Sequence, residues 1–516
     1  VRNITARVRT AFPGAEVRAS TFDAFVGPLA AAVAAPNSPV KLPTVSDEIG
    51  DTWIHGVGSD ASKTSEFLSL QRMRAKLVYD QAQDPAFRNF SRLLLKVPEH
   101  TWGADVKMAM PDYVNWTNAH FSRALKRGHY RNILHTWRRQ RRYLDWAMEA
   151  LNAGSPGLRA AAAAARAKEA AQDPTLTMQQ VPALEQLDFR RVDGKGPRRF
   201  RSHAWDLELN PKTGAIQGLR RRWDNRKGNA WASNRHPLAQ IMYSTYRERD
   251  YDAIWDHYAY QTGLPEWFQK DFGKLNCSVH AKPRRSDSVA RLQHIWEHRD
   301  NIAPSGFSVV VKLLLPEWAV EEAGAPAAML VHYASLPADP RLYVTVTWHD
   351  KTPTRLPEAL WVGWQPRGAD VASWRLWKLG QQVDPSAVVF NGSQALHAVG
   401  DRGFHVDGGS EGALERLSIR TLDAPLVSPG SPTPFPTPHR RPDMRLGMHS
   451  LLANNIWGTN YVMWQPWRDQ DRDVRFRFML EAETLQPPLA SALEATETFI
   501  PAAGVQTARQ RLDSTA

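Results

Sequence analysis

The segment DEIGDTWIHG places Asp47, Glu48, Asp51, Trp53 and His55 within nine residues, interrupted by Gly50 and closed by Gly56. Paired carboxylates suit glycoside hydrolysis, in which one acts as acid or base and the other as nucleophile. Loops beyond strand ends are where α/β barrels keep such groups. An acidic surface loop accounts for the same residues without any chemistry. A second group is KVPEHTWG, with Glu99, His100 and Trp102. Pro98 breaks the preceding helix and Gly103 permits a tight turn, so His100 sits at a break in the chain. A neutral imidazole there can ligate a metal, and a structural histidine is the competing reading. The third group is NNIWGTNYVMW, with Asn454, Asn455, Trp457, Asn460 and Trp464. Amides supply paired hydrogen bonds and indoles supply stacking planes, as a sugar site needs. A capped turn explains the same residues structurally. His298/Asp300 and His405/Asp407 are read as coincidental His-x-Asp pairs. The P-loop, GxGxxG, GxSxG and zincin signatures are absent from the sequence, which leaves kinase, dinucleotide and serine-hydrolase readings without support.

Elements of two kinds must position these residues. Residues 1 to about 60 read as α/β: a helical period, a short strand from Val17 to Ser20, then a helix with Phe22, Phe25, Val26 and Leu29 on one face. Helices follow to about residue 182. Phe67, Leu70, Met73 and Leu77 fall at helical spacing, as do Phe87, Phe90, Leu93, Leu94 and Val97. A long helix carries Ile133, Leu134, Trp137, Leu144, Met148 and Leu151 on one stripe, with Arg138–Arg142 read as its solvated face. From about 185 the pattern is β. WDLELNPKTGAIQGL reads as strand, turn and strand, and FSVVVKLLL, AAMLVHY, RLYVTVTW, EALWVGW and VRFRFML as further strands. Strands in this number without alternating helices predict a sandwich.

At 516 residues the chain exceeds the roughly 250–300 at which one core stops growing, so several domains are expected. No run approaches the ~20 apolar residues of a membrane helix, and no membrane partner is expected. The one cysteine, Cys277, excludes an intrachain disulfide and a cysteine-based zinc site. The net charge of +12 is spread along the chain without a nucleic-acid motif, so nucleic acid is not the expected partner. Twenty tryptophans serve sugar stacking or β-domain cores, and most belong to cores.

Taken in order, these segments resemble glycoside hydrolase family 38, the α-mannosidases. FPGAEVRASTFDAFV resembles the approach to the last barrel strands, and DEIGDTWIHGVGSDASK the family's Gly-Asp motif with the helix entry after it. RNFSRLLLKVPEHTWGAD resembles the helix and turn that contribute a zinc ligand. WDLELNPKTGAIQGL, DKTPTRLPEALWVGW and NNIWGTNY resemble the C-terminal β region. The resemblance implies a multidomain α/β + β fold. The C-terminal part of a seven-stranded β/α barrel would span 1–60, and a helical bundle with linker 61–182. A large β-sandwich region, divisible into two subdomains, would span 183–516. It also implies a zinc ion (Zn2+) and retaining hydrolysis of α-mannosides, with carbohydrate as the partner. Asp51 matches the Gly-Asp carboxylate and is expected to be the proton donor, with Glu48 as the alternative. His100 matches the zinc-ligand histidine, and Thr101 stands where the family has Asp. Trp53, His55, Trp102, Asn455 and Trp457 are expected to line the sugar site. The family's earlier His-x-Asp zinc motif and its nucleophile have no match before residue 47. The expectation is therefore a glycosidase in full-length form that is inactive as this chain, the alternative being a non-catalytic carbohydrate-binding or scaffold protein.

Overall fold

The computed structural model describes residues 2–39, 41–42, 45–50, 53–99, 102–171, 176, 180–192, 198–223, 226–258, 266–298, 306–389, 392–408, 414–436, 441–458 and 461–485. The chain divides into two compact units, Val1–Glu48 and Ile49–Ala516.

The first unit holds two helices, Arg2–Ala11 and Phe22–Ala34. The second starts at Thr21, whose hydroxyl accepts from the Ala24 amide at 3.3 Å, the usual way of satisfying a first-turn N–H. Val17–Ser20, read as a strand, forms no strand here, because the unit's described residues offer no neighbour to pair with and an isolated strand is not stable. The partial barrel expected over 1–60 is thus not seen among the described residues. The predicted apolar face of the second helix, Phe22, Phe25, Val26 and Leu29, is exposed.

In the second unit four longer helices come first, Ala61–Gln81, Pro85–Leu95, Gly128–Asn152 and Pro156–Ala171, with the short helices Val106–Ala109 and Asn118–Ala124 between the second and third. They close on Leu70, Met73, Leu77, Phe87, Phe90, Leu94, Leu144, Leu151 and Leu158, largely the residues whose spacing predicted the helices. Each start is capped where the sequence allows: Asp60 and Asp84 accept from the amides of Lys63 and Ala86, and Pro85 fills a first-turn position that has no use for an N–H. One expectation fails. Arg138 and Arg139 are exposed as predicted, but Arg141 is buried, because two carboxylates meet it there.

Two large antiparallel sheets follow, each of ten described strands. Their facing sides share one core, with Trp205, Leu207, Leu219, Val309, Val311, Val331, Val344, Leu360, Val362, Trp364, Phe476 and Phe478. The strands predicted after residue 185 all form, and the hairpin Trp205–Leu209/Ile216–Trp223 turns through Gly214 at φ +67°. The strand Glu358–Trp364 lies between Leu238–Thr245 and Met448–Asn455. It is buried along its whole length. Leu360, Val362 and Trp364 face the shared core, while Ala359 and Trp361 face a second, aromatic cluster on the sheet's other side. That outer cluster positions the candidate site.

Candidate functional site

The stretch Trp53–Ser59 forms a 3-10 turn against the strand Met448–Asn455. Its glycines are there for close approach. A Cβ on Gly56 would fall 2.1 Å from the Tyr461 ring, and one on Gly58 would fall 3.1 Å from Leu451. Gly50, at φ +75°, lies against the backbone of Ser393, where a Cβ would come within 2.5 Å of the amide nitrogen. A side-chain-bearing residue would be strained there on both counts.

His55 is fully buried within this turn. Its Nδ1 donates to the Pro434 carbonyl at 2.6 Å, which leaves Nε2 to accept from the Ser393 hydroxyl at 3.3 Å. Its own carbonyl accepts from Asn454 Nδ2 at 2.8 Å. Both ring nitrogens are engaged, so His55 ties three loops together.

Asp60 caps the next helix and joins Asp471 in gripping the buried Arg141. Arg141 Nε lies 3.0 Å from Asp60 Oδ2 and its Nη2 lies 2.7 Å from Asp471 Oδ2. The Trp467 indole N–H donates to Asp60 at 3.4 Å, and its ring faces the Arg141 guanidinium at 4.6 Å.

One turn along, Lys63 is 1% exposed. Its Nζ lies 3.7 Å from the centroid of the Trp102 ring and has no hydrogen-bond partner among the described residues. Burial drives its pKa down to about 7, with Asp60 and Glu99 opposing and Arg141 adding to the fall. An indole face stabilises a cation without accepting a conventional hydrogen bond, so among the described residues the ammonium N–H donors have no acceptor. Lys63 is the functional candidate that sequence reasoning missed. The available signal was a cation in a helix's first turn, where the helix dipole disfavours it.

The expected residues fare unequally. Trp102 and Trp457 belong to the same aromatic cluster, with Tyr251, Phe435 and Tyr461. Trp102 meets Tyr461 edge-on at 6.4 Å. Trp457 is packed among Tyr251, Phe272, Phe435 and His55, and its indole N–H has no acceptor among the described residues. Asn455 accepts from the buried Lys274 at 2.7 Å and donates to the Thr354 carbonyl at 2.7 Å, so both ends of its amide are taken. Asp51, His100 and the side chain of Trp53 lie outside the described residues. Glu48 ends the first unit and is described with it.

A zinc site needs several nitrogen, sulfur or carboxylate ligands on one point. Among the described residues no group of three His, Cys, Asp or Glu side chains has that arrangement, and His55 is fully occupied. The described residues do not by themselves make a site for the ion. No described helix is long and apolar enough to cross a membrane.

A family model described as a domain of unknown function (DUF5054) matches residues 57–343, which include the turn, Lys63 and Trp102. No curated protein matches the chain. Among solved structures, an α-mannosidase from Enterococcus faecalis V583 matches at 10% identity and a TM-score of 0.43. That match covers 94% of this chain, which spans 61% of the mannosidase. A putative aldose 1-epimerase from Escherichia coli K12 matches at 11% identity and a TM-score of 0.28, over 57% of this chain and 100% of its own. A galactose mutarotase-like protein from Lactobacillus casei matches at 10% identity and a TM-score of 0.26, over 56% of this chain and 100% of its own.

Proposed function

The chain belongs to the DUF5054 family, and we propose that it processes carbohydrate as an α-mannosidase-like glycoside hydrolase, with its sugar site where Lys63 meets Trp102. The observation that carries this reading is the Lys63 amine, buried over the Trp102 ring without an acceptor among the described residues. Leaving a buried donor unpaired costs roughly 1–3 kcal/mol. Sugar hydroxyl oxygens are acceptors of the right kind, and Trp102 stands two residues from His100.

In this reading Lys63 holds a substrate hydroxyl and Trp102 fixes the amine's position. Asp51 gives the proton to the leaving oxygen, as glycosidases of this chemistry require of one carboxyl group. His55, Asn455 and Trp457 brace the wall from behind, and Trp53 keeps its proposed role in sugar binding. Zinc, with His100 as one ligand, is part of the same proposal; when bound, such an ion grips vicinal sugar oxygens. The nucleophile is not assigned to a residue of this chain.

The test is titration of α-mannosides and related glycosides against the wild-type chain and Lys63→Met, beside hydrolysis of the matching aryl glycosides and the zinc content of wild type and His100→Ala. Saturable sugar binding that is lost on Lys63→Met supports the reading. If no glycoside binds or is cleaved, the carbohydrate reading fails. Zinc content unchanged by His100→Ala removes that ligand assignment alone.

A further inference from the structure

The sheet that contains the strand Glu358–Trp364 has a charged groove on its outward face, away from the Lys63 site. It encloses about 630 Å³, within the roughly 300–1,000 Å³ usual for ligand sites. Its floor is the strands Arg198–Arg201, Trp205–Leu209 and Ile216–Trp223. Phe200, Leu207 and Leu219 turn into the core, so alternation sends Arg199, Arg201, Asp206, Glu208 and Arg220 outward. The register sets them in rows across the strands: Arg201 opposite Asp206 and Asp206 opposite Arg220, then Arg199 opposite Glu208 and Glu208 opposite Gly218. The middle strand is thus acidic and its flanks basic. Gly218 keeps the floor low, since a Cβ there would meet Glu208 at 2.9 Å. Arg367 joins from the rim.

We propose that this groove binds an anionic polysaccharide. Four arginines against two carboxylates line it, so the groove carries net positive charge. The flanking guanidiniums are the exposed partners: Arg199 and Arg201 side chains are 72% and 70% exposed, and their contacts to Glu208 and Asp206 are 2.8 and 3.1 Å. Exposed ion pairs of this kind add little stability, so an incoming sulfate or carboxylate takes over a guanidinium easily. Guanidiniums also match such groups with two parallel hydrogen bonds. The central carboxylates accept hydrogen bonds only, and sugar hydroxyls supply the donors. A DNA backbone offers no comparable row of hydroxyl donors to those carboxylates. Single-stranded nucleic acid also binds by stacking on aromatic side chains, and the one aromatic among the described residues that line the groove, Phe200, is 6% exposed and belongs to the core. The groove is distinct from the Lys63 site, so each proposal stands or falls without the other.

The experiment is equilibrium binding of the whole chain to heparin, to neutral dextran of matched length and to an oligo-dT strand, across a salt series. The groove variant is Arg199→Glu with Arg367→Glu. The control, with the same change in charge, is Arg138→Glu with Arg139→Glu on the exposed face of the long helix. Arg199→Gln with Arg367→Gln is a milder second groove variant, and circular dichroism checks the fold of all three. The expected result is heparin binding that weakens with salt and exceeds dextran binding, with a loss of about tenfold or more in both groove variants and none in the control. Absence of heparin binding, its retention in the groove variants, or an equal loss in the control overturns the proposal. Oligo-dT binding as tight as heparin, lost in the same variants, overturns it in favour of nucleic acid.

Discussion

The Lys63 ammonium nitrogen lies 3.7 Å from the centroid of the Trp102 indole, and this contact joins the first turn of a helix to the loop that follows His100. Burial lowers the pKa of the amine to about 7. A group held against its preference in the free protein marks a place where a ligand improves matters.

Replacing Lys63 by methionine is expected to stabilise the fold by about 1–4 kcal/mol near pH 7, since an apolar chain of similar length fills the same space without desolvation cost. The pH dependence gives a sharper test. The folded value of about 7 lies below the ordinary 10.5, so between those values the unfolded chain holds a proton that the folded chain lacks. Lys63 therefore makes stability rise with pH from about 7 toward 10.5, with a slope of at most about 1.4 kcal/mol per unit, and its penalty is fully present below that window. Urea denaturation of wild type and Lys63→Met at pH 7, 8 and 9 reads this directly. Parallel pH trends in the two proteins would show that the amine is not held uncharged by burial.

Arg141 stands between Asp60 and Asp471 with all three side chains buried. Removing one member strands the others, so Asp60→Asn is expected to cost about 3–5 kcal/mol. It also withdraws an anion that raises the Lys63 pKa, so that pKa falls further. Chemical denaturation measures the first effect, and the onset of the pH-dependent stability rise measures the second. A loss of stability with no change in that onset would separate Asp60 from the electrostatics of Lys63.

Much of this architecture is legible in the sequence, and the exceptions have physical causes. Periodic apolar spacing identified the helices at Ala61–Gln81, Pro85–Leu95 and Gly128–Asn152, and β-branched runs identified the sheet strands, because burial on one face imposes a period. The same logic misread Val17–Ser20, whose strand character needed partners that periodicity does not report. It misread Arg141, because a cation on an otherwise polar helix face looks solvated until two distant carboxylates, 81 and 330 residues away in sequence, are brought to it. At the candidate site, Trp102 and Trp457, both expected at a sugar site, lie in one aromatic cluster. Lys63 was not expected there, since only the fold reveals that a first-turn lysine is covered by an indole from residue 102.

Gly56 and Tyr461 make a steric test of how the turn Trp53–Ser59 is held. A methyl group at Gly56 would overlap the Tyr461 ring, which is 3% exposed and packs edge-on against Trp102. Gly56→Ala alone is expected to cost about 1–3 kcal/mol by overpacking, and Tyr461→Ala about 3–5 kcal/mol by leaving a cavity. Together they are expected to cost clearly less than the sum, because the cavity admits the methyl group. Urea midpoints of the four proteins give the coupling energy. Strict additivity would mean that the turn moves aside instead of pressing on the ring.

Lys351 and Glu358 form a buried pair at 2.7 Å, and Tyr243 donates to the same carboxylate at 2.6 Å. Burial raises the Glu358 pKa, and Lys351 and Tyr243 pull it back. Lys351→Met leaves the carboxylate with one neutral donor, at an expected cost of about 3–5 kcal/mol at pH 7. A carboxyl with a raised folded value keeps its proton more tightly in the folded chain, so its penalty grows as pH rises above the ordinary 4.5 and vanishes below it. The deficit of Lys351→Met is accordingly expected to shrink as pH falls from 7 toward 4.5. Adding Glu358→Gln removes the charge that needed the cation while Tyr243 keeps an acceptor, and most of the lost stability is expected to return. Denaturation of the single and double variants at pH 5 and 7 checks both points. A single variant as stable as wild type at pH 7 would mean that Glu358 already carries a proton in the folded chain and that Lys351 is not its counter-ion.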